Sequence, residues 1–566
     1  MRVDETAEAV VIAGAAGYGL RIFRREPLVE LALGDRPVAA LRVDSGVDTL
    51  DAVDEGTALG PPSIRQVADG VVVRWRGASR RWPYKQVELR ARHDAFSYGY
   101  RVEGAGRIDR AHFFRTRSAG SAAHFAQLFN PEPNYWRVQY TSPGDRALIT
   151  VGHDPACHGG NWFFTPAPYC FALRGDGAWL AVGVAAAAGS WTFTDLEYAG
   201  NGFGLSLAYD GHAPVNGAWE SPRLMCLVAS DEYGAIERYC DALRAAGLAP
   251  THGRGPRQAW WLEPLFCGWG EQVAHEAHRG GRAMEHARQA NYERWLRSLE
   301  ARGVDPGTVV IDDKWQRAYG LNDVDAAKWP DLPGFIAAQH GRGRRVLLWL
   351  KAWDPEGLPE AECIRDAGGA PVAADPGNPA YAARLAEQVW RMLREIGADG
   401  FKLDNTSAIP RGPGLVSAGG RWGLELQRQW LAIVSEAAHA AKPDAVLVAH
   451  TANPYVADLV DVLRLNDLAG YTDPEQSIVP DMRHRARVAR AASPYWALDS
   501  DNSPCRSRGQ LRDYARAQGS GEFGIPALYY AERLADGSRV EMLDDADYAT
   551  IREAWAAYRS RLRADA

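Results

Sequence analysis

Several short apolar runs in the second half of this chain close on residues able to do chemistry. The run 399–404 ends in Lys402 and Asp404, with Asn405 next, and 308–312 ends in Asp312, with Asp313 and Trp315 just beyond. Run 345–350 closes with Trp349, followed by Lys351 and Trp353, and 445–450 closes with His450. Run 460–467 carries Arg464 and ends in Asp467, while 493–499 carries Trp496 and ends in Asp499, with Asp501 beyond. Carboxylates, indoles and one or two cations around a single cavity suit glycoside cleavage, which needs two carboxyl groups flanking the scissile bond and polar groups for the sugar hydroxyls. A retaining mechanism asks for an ionised carboxylate as nucleophile and, about 5–5.5 Å away, a protonated carboxyl group as acid and then base.

Asp404 suits the nucleophile role. Lys402, two residues earlier, shares its strand face and favours the charged carboxylate. The acid must come from a strand across the cavity, and Asp467 is assigned to it, with Asp499 and Asp501 as the alternatives. Arg464 stands at an odd offset from Asp467, so on an unbroken strand the two face opposite ways; they can pair only if the strand ends between them. Plainer readings compete. Asp404 could cap the next helix, Asp312 and Asp313 could form a turn, and His450 reads equally as a core residue or a sugar ligand. Trp269, in the run CGWGEQ at 267–272, either lines a cavity at the first strand's exit or packs a turn.

These residues need a frame that brings strand ends together. From residue 251 onward, eight short apolar runs alternate with helix-like stretches: 258–266, 308–312, 345–350, 399–404, 445–450, 460–467, 493–499 and 524–530. Strand and helix repeated eight times predict a (β/α)8 TIM barrel, whose active site forms at the C-terminal strand ends. Residues 1–250 read differently. Runs such as 71–77, 85–93 and 96–104 alternate with period 2 between Gly, Pro and Asp clusters, predicting an all-β sandwich domain. The fold class is therefore α/β, a catalytic barrel at 251–566 preceded by a β-sandwich at 1–250.

Composition narrows the partners. The 566 residues carry a net charge of −7 with signs interspersed, which disfavours nucleic acid and anionic membrane surfaces. Seven scattered cysteines without a CxxC pair indicate neither a disulfide framework nor a zinc site, and fit a reducing, cytoplasmic location. No run approaches a membrane-spanning length. No cofactor and no metal are expected, and the expected partner is an oligosaccharide or other glycoside. A homo-oligomer is left open.

The segment GADGFKLDNT at 397–406 resembles the nucleophile strand of glycoside hydrolase clan D, most closely family 31, with family 36 near it. That resemblance implies a retaining α-glycosidase with Asp404 as nucleophile. The stretch VVIDDKWQ at 309–316, continuing to WPDLPGF at 329–335, resembles the clan's acidic pair that holds distal sugar hydroxyls, implying that role for Asp312 or Asp313. The clan's acid/base lies on the sixth strand, which implies Asp467; here the motif is RLND rather than the W-x-G-D of family 31 or the W-x-S-D of family 36. Asp499 is then a pocket-lining carboxylate. The clan's sandwich lends a loop to the pocket, for which FNPEPNYW at 129–136 is the candidate. An α-transglycosylase of the same fold, a non-catalytic sugar-binding protein and a metal-dependent barrel enzyme are the competing readings.

Overall fold

The structure is a computed structural model. It describes the chain apart from residues 132–139, 142–146, 151–165, 176, 199–202, 466, 468–472, 503–504, 538 and 566. Most of the candidate pocket-donor loop at 129–136 therefore lies outside the described residues.

The N-terminal part folds as a β-sandwich of large antiparallel sheets, whose strands alternate in the way the sequence does. In Tyr18–Phe23 and Leu28–Leu33 every second side chain points inward, and Leu20, Ile22, Val29 and Leu31 are fully buried. The long strand Ala95–Phe113 pairs on one edge with Tyr84–Ala91 and on the other with Leu205–Glu220. Trp75, Val87, Leu89, Tyr98 and Phe113 fill the space beneath. The helix Glu232–Ala245, capped by Asp231, leads out of the sandwich.

Eight parallel strands then form a barrel: Leu265–Cys267, Thr308–Ile311, Arg345–Lys351, Gly400–Asp404, Val446–Ala449, Val462–Arg464, Ala497–Asp499 and Ala527–Leu528. They pair in sequence order, the eighth returns to the first, and a parallel bridge between Asp499 and Ile525 closes the ring. Nearly every strand residue is buried, as expected where helices cover the outside and side chains fill the inside of a parallel barrel. Asn378 caps Pro379–Arg394, which turns Tyr381, Leu385 and Val389 toward the sheet at helical spacing. The fifth strand differs, being followed only by the short turn Pro454–Val456. Among the described residues no helix is long and apolar enough to cross a membrane.

Most of the expected runs are longer than their strands. Residues 259–262 form a 3-10 turn before the first strand. The sixth strand stops at Arg464, and the seventh starts only after Trp496. Both boundaries change where side chains go.

The sandwich grips the barrel through the segment that follows the fourth strand. Glu425, in the first turn of Gly423–Ala441, accepts from the backbone N–H groups of Gly189 (2.7 Å) and Trp191 (3.2 Å). Arg411 pairs with Asp195, Gly412 N–H donates to Asp210 at 3.0 Å, and the His212 ring stacks on Trp422 at 3.6 Å. The loop leaving the strand that carries Asp404 is thus held by the neighbouring domain.

Candidate active site

At the C-terminal end of the barrel lies a cavity of about 220 Å³. Asp404 ends the fourth strand at its floor. Trp349 Nε1, on the third strand, donates to Asp404 Oδ2 at 2.9 Å, and Arg464 Nη2 donates to Oδ1 at 3.0 Å. His450 Nε2 stands 3.5 Å from the same oxygen. Burial pushes the Asp404 carboxyl up, but Arg464, Lys402, His450 and the Trp349 indole together hold it well below the usual carboxylate range. Arg464 is the larger of the two neighbouring cations in this effect, ahead of Lys402.

Lys402 shares the face of Asp404 as its spacing requires, and its direct partner is Asp312 Oδ2 at 2.7 Å. The same oxygen accepts from the Cys267 thiol at 3.0 Å. Asp313 reaches the cavity separately, accepting from the Tyr319 hydroxyl at 2.7 Å, and burial pushes its carboxyl up to about 7. Lys351 Nζ pairs with Asp354 at 2.7 Å and lies 4.2 Å from the centre of the Tyr319 ring.

Asp467 reaches the same cavity from the sixth segment. Because the strand ends at Arg464, the odd offset no longer separates the two residues, and Arg464 Nη1 donates to Asp467 Oδ1 at 2.7 Å. Burial raises the Asp467 carboxyl to about 7 against the pull of Arg464, with Asp501 and Asp404 adding to the rise. One guanidinium therefore touches two carboxyl groups shifted in opposite directions, Asp404 down and Asp467 up.

Of the residues singled out from the sequence, Trp269, Asp312, Asp313, Trp349, Lys351, Lys402, Asp404, His450 and Asp467 line the cavity. Four do not. Arg464 is buried behind the carboxylates it holds. Asp499 is buried too, accepts from the backbone N–H of Asp501 at 2.9 Å and is raised by burial to about 7. Trp315 turns into the core, where its indole donates to the Trp349 carbonyl at 2.8 Å. Trp496 precedes its strand, so it sits at the other end of the barrel in a groove with Arg257, Arg490 and Tyr558. Met284, Tyr319 and Ser407 also line the cavity, together with Asn405. Asn405 was already named at the close of the fourth run, and Ser407 just beyond it was reachable by the same rule; Met284 and Tyr319 lie in loops whose path no local pattern fixes.

Among the described residues, Glu271, His275 and Glu532 bring possible metal-ligating atoms within 4.8 Å of one another. Arg294 and Arg533 already donate to His275 Nε2 at 2.7 and 3.1 Å, and Glu271 Oε1 accepts from the backbone N–H groups of 531–533. The group reads as a clamp on the chain after the eighth strand rather than as a cation site.

The barrel and its sandwich share the fold of solved glycoside hydrolase structures. Solved structures with this fold include a family 31 sulfoquinovosidase from E. rectale, with a TM-score of 0.58, 13% identity and coverage of 99% of this chain and 82% of that one. An α-galactosidase from Thermus thermophilus in complex with stachyose aligns with a TM-score of 0.51 and 17% identity over 88% of this chain and 99% of the other. A cycloalternan-forming enzyme from Listeria monocytogenes aligns with a TM-score of 0.51 and 13% identity over 98% of this chain; the chain spans only 54% of that enzyme's length. No protein-family model matches the chain, and no curated protein matches it significantly.

Proposed function

We propose that this chain is a retaining α-glycosidase in which Asp404 is the nucleophile and Asp467 the acid and base. In the first step Asp404 Oδ attacks the anomeric carbon while Asp467 gives its proton to the departing glycosidic oxygen, leaving a glycosyl ester on Asp404. In the second step Asp467, now a carboxylate, takes a proton from the water that attacks the same carbon, and Asp404 leaves as a carboxylate. The observation that carries this reading is the pair of opposed carboxyl groups on the two terminal nitrogens of Arg464, at 3.0 and 2.7 Å.

The cavity supports a small substrate group. At about 220 Å³ it falls below the roughly 300–1,000 Å³ range of drug-sized ligand pockets, which suits one sugar ring. Asp312, Asp313 and Lys351 offer acceptors and a donor for its hydroxyls, and Trp269 offers an apolar face. The α configuration is argued from the fold shared with α-glycosidases, and an α-glucoside or α-galactoside is the first substrate to try. The test is a panel of aryl α- and β-glycosides with wild type and Asp404→Ala. Cleavage of an α-glycoside that is lost in the variant and partly restored by azide supports the reading; turnover that survives Asp404→Ala removes it.

A further inference from the structure

Arg464 has a side chain only 1% exposed, and three carboxylates converge on it. Nη2 serves Asp404, while Nη1 is shared between Asp467 Oδ1 at 2.7 Å and Asp501 Oδ2 at 2.8 Å. The proposed chemistry uses the first two carboxylates and gives Asp501 no task. Asp501 is fully buried and does not border the cavity, so substrate cannot touch it. Its placement is nonetheless tightly built. Its φ is +47°, in the left-handed region that short polar residues such as Asp tolerate best, and its N–H is tied to Asp499 Oδ1. The preceding residue, Ser500, accepts from Gln518 Nε2 at 2.9 Å and from Ala527 N–H at 3.0 Å, which anchors the turn to the helix Arg508–Gln518 and to the eighth strand.

A buried arginine beside only Asp404 and Asp467 would favour the ionised form of both, and an ionised acid has no proton to donate. A third carboxylate on Nη1 divides the donor and adds negative charge next to Asp467. We propose that Asp501 is a positioning residue: by sharing Nη1 of Arg464 it lets one guanidinium hold Asp404 ionised while Asp467 stays able to carry the proton for the leaving group. This rests on the reading of Asp467 as acid and base. The groups that act on Asp467 are Arg464 on its own segment, Lys402 and Asp404 from the fourth strand, Asp501 from the seventh segment and Tyr530 beyond the eighth strand. Arg485, from Val479–Ala492, donates to its backbone carbonyl at 3.1 Å.

The test is Asp501→Asn in the full chain with aspartate side-chain carboxyls labelled with carbon-13, Asp467→Asn serving to assign the resonance. The Asp467 titration midpoint is expected to fall by about 1 pH unit or more. On an aryl α-glycoside with a poor leaving group the alkaline limb of kcat/KM should move down equally, whereas a dinitrophenyl glycoside, which leaves without protonation, should keep its wild-type kcat/KM. An Asp501 that merely supports the fold would lower the unfolding midpoint and leave the Asp467 midpoint and the limb in place; that result overturns the proposal. If Asp501→Asn does not fold, Arg464→Gln with Asp501→Asn removes the uncompensated cation as well. There the Asp467 midpoint is compared with that of Arg464→Gln alone: a lower midpoint in the double variant supports the proposal, and equal midpoints also overturn it. The carboxyl midpoint is read without turnover, so a chain inactive on every glycoside would remove the glycosidase reading while leaving the role of Asp501 at Arg464 separately decided.

Discussion

Asp399 and Asp404 stand at the two ends of one barrel strand, and both are anions among cations. Asp399 has no exposed side-chain surface; His340 Nε2 (2.7 Å), Lys442 Nζ (2.6 Å), Arg345 Nη1 (3.3 Å) and the Val346 N–H (2.8 Å) occupy its oxygens. Asp404 keeps 25% of its side chain exposed, and that surface opens on the cavity. The difference lies in what is left over. At the N-terminal end of the barrel every lone-pair direction is claimed by protein, so the carboxylate ties strands to helices. At the C-terminal end Trp349 of the third strand, Arg464 of the sixth and the Asn405 N–H hold the charge in place, while part of the carboxylate stays open to the cavity for a ligand.

Substituting each residue by its amide should separate the two roles. Asp404→Asn is expected to lower kcat/KM on the substrate found in the glycoside panel by about 10⁴-fold or more, as for loss of a nucleophile. Its unfolding free energy should change little, because Asp501 still compensates Arg464. Asp399→Asn should do the reverse. Removing the anion leaves cations facing one another at a cost of about 3 kcal/mol, the low end for a broken buried ion group since these cations partly reach solvent. Denaturant unfolding measures the loss, and the protein that remains folded should keep near wild-type kcat/KM. A comparable activity loss in both variants would erase the distinction between the ends.

Protonation sharpens the contrast further. With Asp467 held at about 7, the acid form is present below that pH and lost above it, so kcat/KM should fall about tenfold per pH unit on the alkaline side. Because Asp404 is held below the usual carboxylate range, ionised nucleophile persists well into acid, and the optimum should lie below 7. Asp313 and Asp499 are also raised to about 7. In the folded chain these three carboxyl groups retain protons that the unfolded chain releases near pH 4, so their contribution to stability is full below that pH and is lost as pH rises toward 7. They share neighbours and titrate as a set. Burial lowers His275, His450 and His484 to about 3, 4 and 3, which acts in the opposite direction. The sign is therefore checked on the difference in unfolding free energy between wild type and Asp499→Asn at pH 5 and 8; a wild-type advantage that grows toward pH 8 would contradict the burial of Asp499.

Much of this arrangement was legible because a parallel barrel turns a one-dimensional rule into a place. A short apolar run ending in polar residues marks a strand end, and strand ends meet; Asp312, Asp404, His450 and Asp467 follow from that alone. The rule failed where a run did not coincide with its strand. Trp496 belongs to an apolar run, yet the strand begins one residue later, which puts the indole at the barrel's opposite end. For Arg464 the odd offset allows a pair with Asp467 only if the strand ends first, and the strand stops at Arg464 itself. Trp315 sits beside the acidic pair in sequence but is drawn inward by a hydrogen bond to the Trp349 carbonyl, a tertiary contact without local signature. Tyr319 reaches Asp313 through a loop, and only the folded path of that loop reveals it.

The smallest effects should come from the two tryptophans that the sequence placed in one site and the fold puts apart. Trp269 is half-buried at the cavity and opens the helix Trp269–Arg279 that follows the first strand. Replacing it by Ala removes an apolar face for the sugar, and KM should rise about 3- to 10-fold with kcat less affected. Trp496→Phe keeps most of the ring, and its indole N–H has no hydrogen-bond partner among the described residues, so no polar contact is forfeited. The backbone carbonyl that binds Arg257 at 2.7 Å is untouched. This variant should lower stability by about 1 kcal/mol through the volume change and shift kcat/KM less than about twofold. A KM increase in Trp496→Phe to match that of Trp269→Ala would mean that the groove at the far end also binds the substrate, and that the two ends of the barrel are less distinct than Asp399 and Asp404 make them.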